Sequence, residues 1–146
     1  MQEWIACVYA FVGCVAFCFI FEMRRWPFIL CAAGIGTIAQ ATYLVLSGVN
    51  SSATRLLLAT IVTAGLAEIF ARILKTPATV LLIIGIIPLV PGSGVYYTMD
   101  ALINGDIALF IQEGLATAAD AGAIAVGSSL VSAVTRILLV RRPPQR

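Results

Sequence analysis

The chain has 146 residues, of which 61% are hydrophobic and 11% are charged, and its mean hydropathy is +1.04. A soluble domain carries about 25% charged and about 45–50% apolar residues, so this composition indicates an integral membrane protein. The net charge of +2, with no Lys/Arg-rich patch, argues against a nucleic-acid partner. Histidine is absent, and no phosphate-binding, nucleophile or metal-ligand motif occurs, so we expect neither an enzyme nor a cofactor.

Uncharged runs predict five membrane spans, because a hydrocarbon core of roughly 30 Å requires about 20 helical residues. They cover residues 4–21, 28–47, 53–74, 77–103 and 107–139, and a flexible cytoplasmic tail follows at 140–146. Pro27 suits the first turn of span two, Ser51 or Ser52 suits the cap of span three, and Asp106 suits the cap of span five. The predicted fold class is all-α, a polytopic transmembrane helix bundle that forms one integral membrane domain over residues 1–146.

Span one carries three of the four cysteines, Cys7, Cys14 and Cys18, on one helical face. They are open to two interpretations, a redox or metal site and a set of small buried packing residues. Without histidine or a C-x-x-C motif we favour packing, and we expect no metal.

The basic residues of the connectors predict the orientation. Arg24 and Arg25 lie in the first connector, and Arg72 and Lys75 lie at the third. The tail adds three more, Arg141, Arg142 and Arg146. Five spans place all seven on one side, whereas four spans would place two basic connectors on opposite sides. The positive-inside rule then predicts a multi-pass plasma (inner) membrane protein with its N-terminus outside and its C-terminus in the cytoplasm.

Span three contains Glu68 and Arg72 in its second half. Glu68 and Arg72 are four residues apart on one face, in the order that favours an ion pair. Charged groups within a span are costly and usually face a cavity. The pair therefore serves either as a proton carrier or substrate contact, or merely as two charges that neutralise each other, and the sequence does not decide between these interpretations.

Span four is interrupted near mid-membrane by Pro88 and Pro91 and by the Gly92-Ser93-Gly94 segment that follows. Proline removes helical hydrogen bonds, so the carbonyls near Ile84 and Ile87 should lose their helical partners. The glycines should adopt backbone angles closed to other residues. Secondary transporters place substrate sites at such breaks, although the same break can be a purely structural kink.

A helix restarting after this break would offer free amides to a carboxylate. We expect the amides of Ser93, Gly94 and Val95 to be the donors. Valine at either Gly92 or Gly94 should then block transport.

Span five is rich in small residues, which allow close helix packing in lipid. Its length and surface predict a partner chain or an oligomer. Glu113 suits a solvated helix extension, whereas Asp120 lies deeper and is a weaker candidate for the substrate path. Aromatic residues near the predicted interfaces, Tyr96 among them, are typical of membrane belts. The predicted substrate path comprises Glu68, Arg72, Pro88, Pro91, Gly92, Ser93, Gly94, Tyr96 and Asp120.

Two segments, AEIFARILKTPATV at 67–80 and IIPLVPGSGVY at 86–96, resemble the threonine/serine exporter family. The chain is similar to the C-terminal membrane half of its one-chain members, which is a separate small subunit in two-chain members. The resemblance implies a subunit of a secondary exporter for small carboxylates or hydroxy amino acids, with threonine/serine or a dicarboxylate such as succinate as substrate. It also implies a larger membrane subunit of the same family as partner. A homo-oligomeric channel and a non-transporting membrane scaffold are the alternatives.

Overall fold

The computed structural model describes residues 2–140 and confirms the all-α prediction, with no strand in that range. Six helices follow in order: α1 Gln2–Ile20, α2 Trp26–Val45, α3 Ser52–Leu74, α4 Ala78–Ile86, α5 Gly92–Ile103 and α6 Ile107–Val140. Helices α2, α3 and α6 are each long and apolar enough to cross a membrane, and α1 is a shorter apolar helix. Helix α4 and its 3-10 extension meet α5 at 54° as one broken span. The architecture is a bundle of about five spans. The predicted tail at 140–146, beyond Val140, lies outside the described residues.

The helix ends follow the local chemistry of the sequence. Pro27 lies in the first turn of α2, where its missing amide hydrogen costs nothing. Ser51 Oγ accepts from the Thr54 amide at 3.5 Å and caps α3. Asp106 Oδ1 accepts from the Leu109 amide at 3.0 Å at the start of α6. All three sequence predictions of helix starts are thereby confirmed.

The main core lies where α1, α2, α3 and α4 meet. Cys14 and Cys18 are fully buried there and act as small packing residues. Cys14 Sγ occupies the space above Gly36 of α2 and lies 3.5 Å from the Ile84 carbonyl of α4. The cysteine face of span one is thus the face that packs α1 against its neighbours.

Contacts along α3 give the directions of its neighbours. Helix α6 runs parallel to α3, because Ser52 bonds to Asp120 at one end and Ser132 lies near Glu68 at the other. Helix α4 runs antiparallel, since Thr79 lies near Glu68 and Leu89 packs against Leu56. We call the two ends of the bundle the Ser52 end and the Leu74 end, after the first and last residues of α3.

The basic connectors lie together at the Leu74 end. Arg24 and Arg25, after α1, share a cavity of about 360 Å³ with Thr76 and Pro77, after α3. At the other end, residues 107–119 of α6 extend beyond the Asp120–Ser52 contact by roughly 20 Å. Helix α5 folds back along this extension, so the two form an apolar hairpin that projects past the start of α3.

Candidate functional site

The break in span four is formed by a 3-10 turn, Ile87–Leu89, and by Pro91, the residue that precedes α5. It lies beside Gly36 in the middle of α2 and beside Leu56, one turn into α3. As expected, the carbonyls of Ile84 and Ile87 lose the partners that an uninterrupted helix would give them, because residues 88 and 91 are prolines, but neither carbonyl is left free. The Ile84 carbonyl accepts from the Ile87 amide, and the Ile87 carbonyl accepts from the Val90 amide at 3.3 Å, because the tighter 3-10 turn brings closer donors to both.

The glycines after the break have ordinary backbone angles, so the expectation of special angles is wrong. Among residues 2–140, Gly105 is the glycine with a positive φ, +75°, and Gly92 and Gly94 are helical. Gly92 has open space where a Cβ would lie. Gly94 does not, because a Cβ there would overlap Thr117 Oγ1 and lie 3.3 Å from Thr117 Cβ. Gly94 therefore serves the close approach of α5 to α6.

Two amides at the start of α5 remain available to a ligand. Gly92 donates to the Val90 carbonyl at 2.7 Å, and Val95 donates to the Pro91 carbonyl at 3.2 Å. The expectation that Val95 is a free donor is therefore wrong, because the first helical bond already uses its amide. The Ser93 and Gly94 amides have no hydrogen-bond acceptor among the described residues, as befits the first turn of a helix without a side-chain cap.

A cavity of about 200 Å³ opens beside these amides. Residues of α2, α3, the break, α5 and α6 line it: Gln40, Tyr43, Leu56, Pro88, Leu89, Val90, Pro91, Ser93 and Asp120. We call it the break cavity. Its lining residues carry amide, phenol, hydroxyl and carboxylate side chains in an otherwise apolar bundle, and polar groups among membrane-spanning helices generally mark a ligand or ion path.

Asp120 is the acidic residue of the break cavity. The hydroxyl of Ser52 donates to its Oδ1 at 2.7 Å, which ties α6 to the first residue of α3 and fixes the carboxylate at the cavity wall. A cation lies close by. The guanidinium of Arg55 packs 5.6 Å from the ring centroid of Tyr43, and its Nε is buried with no hydrogen-bond partner among the described residues. The cavity therefore has an anionic wall and a cationic neighbour.

Glu68 and Arg72 lie elsewhere. Arg72 Nη2 donates to Glu68 Oε2 at 3.4 Å in a partly exposed ion pair. Glu68 borders a separate cavity of about 50 Å³ with Thr79 and Ser132, which we call the Glu68 cavity. Glu68 itself lies roughly 18 Å along α3 from Leu56, which lines the break cavity. The structure thus brings Asp120 to the break and leaves Glu68 and Arg72 near the Leu74 end.

Some of the other residues predicted for the substrate path line the break cavity, and others do not. Pro88, Pro91 and Ser93 line the break cavity, whereas Gly92 and Gly94, on either side of Ser93, are not among its lining residues. Tyr96 is exposed on α5 and stacks edge-on against Tyr97, with ring centroids 5.5 Å apart, so it does not line the cavity.

Sequence reasoning missed Gln40 and Tyr43 as wall residues, and it assigned no role to Arg55. A lone amide within the apolar run of span two was the available signal for Gln40.

No curated protein and no solved structure matches the chain. A family model described as "Threonine/Serine exporter, ThrE" matches residues 6–134, which include every residue that lines the break cavity. The chain belongs to the threonine/serine exporter family.

Proposed function

We propose that the chain is the small subunit of a secondary exporter in the plasma membrane and that substrate binds in the break cavity. Its family is one of transporters rather than enzymes. The observation that carries the proposal is the cavity itself, which Asp120 lines together with Ser93, at a helix start that has two free amides. Broken helices of secondary transporters bind substrates through such amides.

The charges of the break cavity favour an amino acid over a dicarboxylate. The amides of Ser93 and Gly94 suit one carboxylate, since each is an unused donor at the positive end of a helix. The Asp120 carboxylate suits an ammonium group and would repel a second carboxylate. Threonine and serine carry one group of each kind and a hydroxyl besides, which Gln40 or Tyr43 can bond. Succinate, the dicarboxylate candidate, lacks the ammonium group.

A larger membrane subunit of the same family is the partner that we propose, and the surface of α6 supports it. Gly127 is the one fully buried residue among those described in α6, whereas Ala118, Ala119 and Gly122 are exposed. Small residues on a helix surface in lipid are typical of helix–helix contacts. Residues 120–140 alone span roughly 30 Å, which is the thickness of the hydrocarbon core of a bilayer. The hairpin formed by α5 and residues 107–119 extends beyond that length, so its apolar side chains need a partner protein to cover them.

The orientation that we propose puts the Leu74 end in the cytoplasm and the N-terminus outside. Its support is the grouping of Arg24 and Arg25 with the α3–α4 turn at one end. Glu68 and Arg72 then lie at the cytoplasmic approach to the path, where they either guide entry or carry a proton.

Asp120→Asn tests the proposed site. Asparagine keeps an oxygen for Ser52 and removes the charge, so the ammonium group loses a charged hydrogen bond. Such a bond contributes about 1.5–3 kcal/mol, and threonine efflux should fall about 10- to 100-fold at limiting substrate. Efflux is measured from loaded cells that express the chain with the larger subunit. Glu113→Gln is the matched control, since it removes a charge from α6 two turns away, outside the cavity lining.

Three outcomes would count against this account. Equal threonine efflux by Asp120→Asn and the unmodified pair would exclude Asp120 from the site. Export of succinate without threonine by the unmodified pair would favour the dicarboxylate. Threonine efflux by the chain alone, without the larger subunit, would refute the proposed division between two subunits.

A further inference from the structure

Two polar cavities lie at opposite ends of the groove that α3 forms with α4 and α6. The break cavity contains Leu56 of α3 and Asp120 of α6. The Glu68 cavity contains Ala64 of α3 and Ser132 of α6. Both cavities therefore touch α3, α6 and span four, which contributes its 3-10 turn to the break cavity and α4 to the Glu68 cavity. About 12 Å of α3 separates Leu56 from Ala64.

The stretch between the cavities is closed by two glycine contacts. A Cβ at Gly127 of α6 would lie 3.1 Å from Thr60 Cβ and 3.1 Å from the Leu57 carbonyl oxygen. A Cβ at Gly85 of α4 would lie 2.9 Å from Thr63 Cγ2. Helix α6 thus packs closely on α3 at the level of Thr60, midway between the two cavities, and α4 does so about one turn further along at Thr63, each through a residue without a side chain.

Thr60 lies at the centre of this closed stretch. It is four residues from Leu56 and four from Ala64, so all three share one face of α3. The residue is fully buried, and its Oγ1 has no hydrogen-bond partner among the described residues. Thr63, one turn away, is also fully buried, but its hydroxyl donates to the Ala59 carbonyl at 2.7 Å. An unpartnered hydroxyl in such a position costs free energy that valine would not.

We propose that the substrate path runs along α3 from the Glu68 cavity to the break cavity, that the Thr60–Gly127 contact is its closed barrier, and that Thr60 Oγ1 bonds a polar group of the substrate during crossing. The inference rests on the proposed export function. In the closed state the Glu68 cavity, at about 50 Å³, has room for one or two waters but not for an amino acid. Separation of α6 from α3 at Gly127 would join the two cavities and give Thr60 the partner that it lacks.

Thr60→Val is the direct test, because valine keeps the size and branching of threonine and removes only the hydroxyl. We expect threonine efflux by the complex to fall about tenfold, the loss expected for one hydrogen bond at the barrier. The unfolding temperature should not fall, since an unpartnered buried hydroxyl has been removed. Thr60→Ser keeps the hydroxyl and should restore most of the efflux. Thr63→Val is the matched control, since it removes a hydroxyl bonded only to its own helix, and its efflux should be normal.

Normal efflux by Thr60→Val, at normal abundance, would overturn the proposed path while leaving the export function intact. Equal losses from Thr60→Val and Thr63→Val would also overturn it, because they would trace the effect to packing. Failure of the unmodified complex to export threonine would instead refute the function on which the inference rests.

Discussion

Gly94 and Gly92 provide a matched pair of substitutions at the start of α5. Alanine at Gly94 would place a Cβ 3.3 Å from Thr117 Cβ and 3.4 Å from Thr117 Cγ2, and in overlap with Thr117 Oγ1. The hydroxyl cannot rotate away without losing its 2.7 Å bond to the Glu113 carbonyl. Alanine at Gly92 meets no atom within 4 Å. Gly94→Ala therefore pushes α5 away from α6, whereas Gly92→Ala does not.

The difference in stability between Gly94→Ala and Gly92→Ala measures the contact of residue 94 with Thr117. Both replace glycine by alanine within the first turn of the same helix, so the helix-propensity gain of up to about 1 kcal/mol largely cancels. What remains is the overpacking at Thr117, which typically costs 1–3 kcal/mol. We expect Gly94→Ala to be less stable than Gly92→Ala by about that amount, which corresponds to a lower unfolding temperature by several degrees.

The assay is thermal unfolding of the purified complex in mild detergent. The quantity measured is the fraction of complex that stays monodisperse as the temperature rises. Equal midpoints for the two variants would refute the packing of Gly94 on Thr117. The same structure revises the expectation for efflux. Valine at Gly94 should reduce it through the displaced helix start, whereas the sequence argument for an equal effect at Gly92 relied on special backbone angles that Gly92 does not have.

Two further predictions concern glycine contacts between helices, and a third concerns the orientation of the chain in the membrane. Gly127→Ala should lower the unfolding temperature of the purified chain, because its Cβ would press on Thr60, whereas Gly122→Ala on the same helix meets open space and should not lower it. Gly36→Ala should cost about 1–3 kcal/mol by overlap with Cys14 Sγ, and addition of Cys14→Ala should recover part of that loss in a double-mutant cycle. Reporter fusions at the two termini should report opposite sides of the membrane, and reports from the same side would contradict the five-span orientation.

The sequence predicted the helical elements well because their signals are local. Charges bracket apolar runs, and residues such as Pro27, Ser51 and Asp106 have short-range capping preferences that the structure confirms. The double-proline break was also visible, because proline disrupts a helix wherever it lies.

The composition of the site was less predictable because it depends on which helices meet. Asp120 ranked below Glu68 in the sequence argument, yet Asp120 lies at the break because α6 runs parallel to α3 and is anchored there by Ser52. No local pattern reveals that register, which brings together residues 68 positions apart. Gln40 and Tyr43 also belong to the site because of helix packing, since α2 lies beside the break.

Substrate protection at Ser93 tests the central proposal most directly. Ser93→Cys places a thiol at the wall of the break cavity, and its modification by a charged thiol reagent is measured in the purified complex against the native-cysteine background. Tyr97→Cys, exposed on the same helix but outside the cavity lining, is the control. The account predicts that threonine slows modification at position 93 several-fold and leaves position 97 unchanged. Equal rates at position 93 with and without saturating threonine would contradict substrate binding in the break cavity.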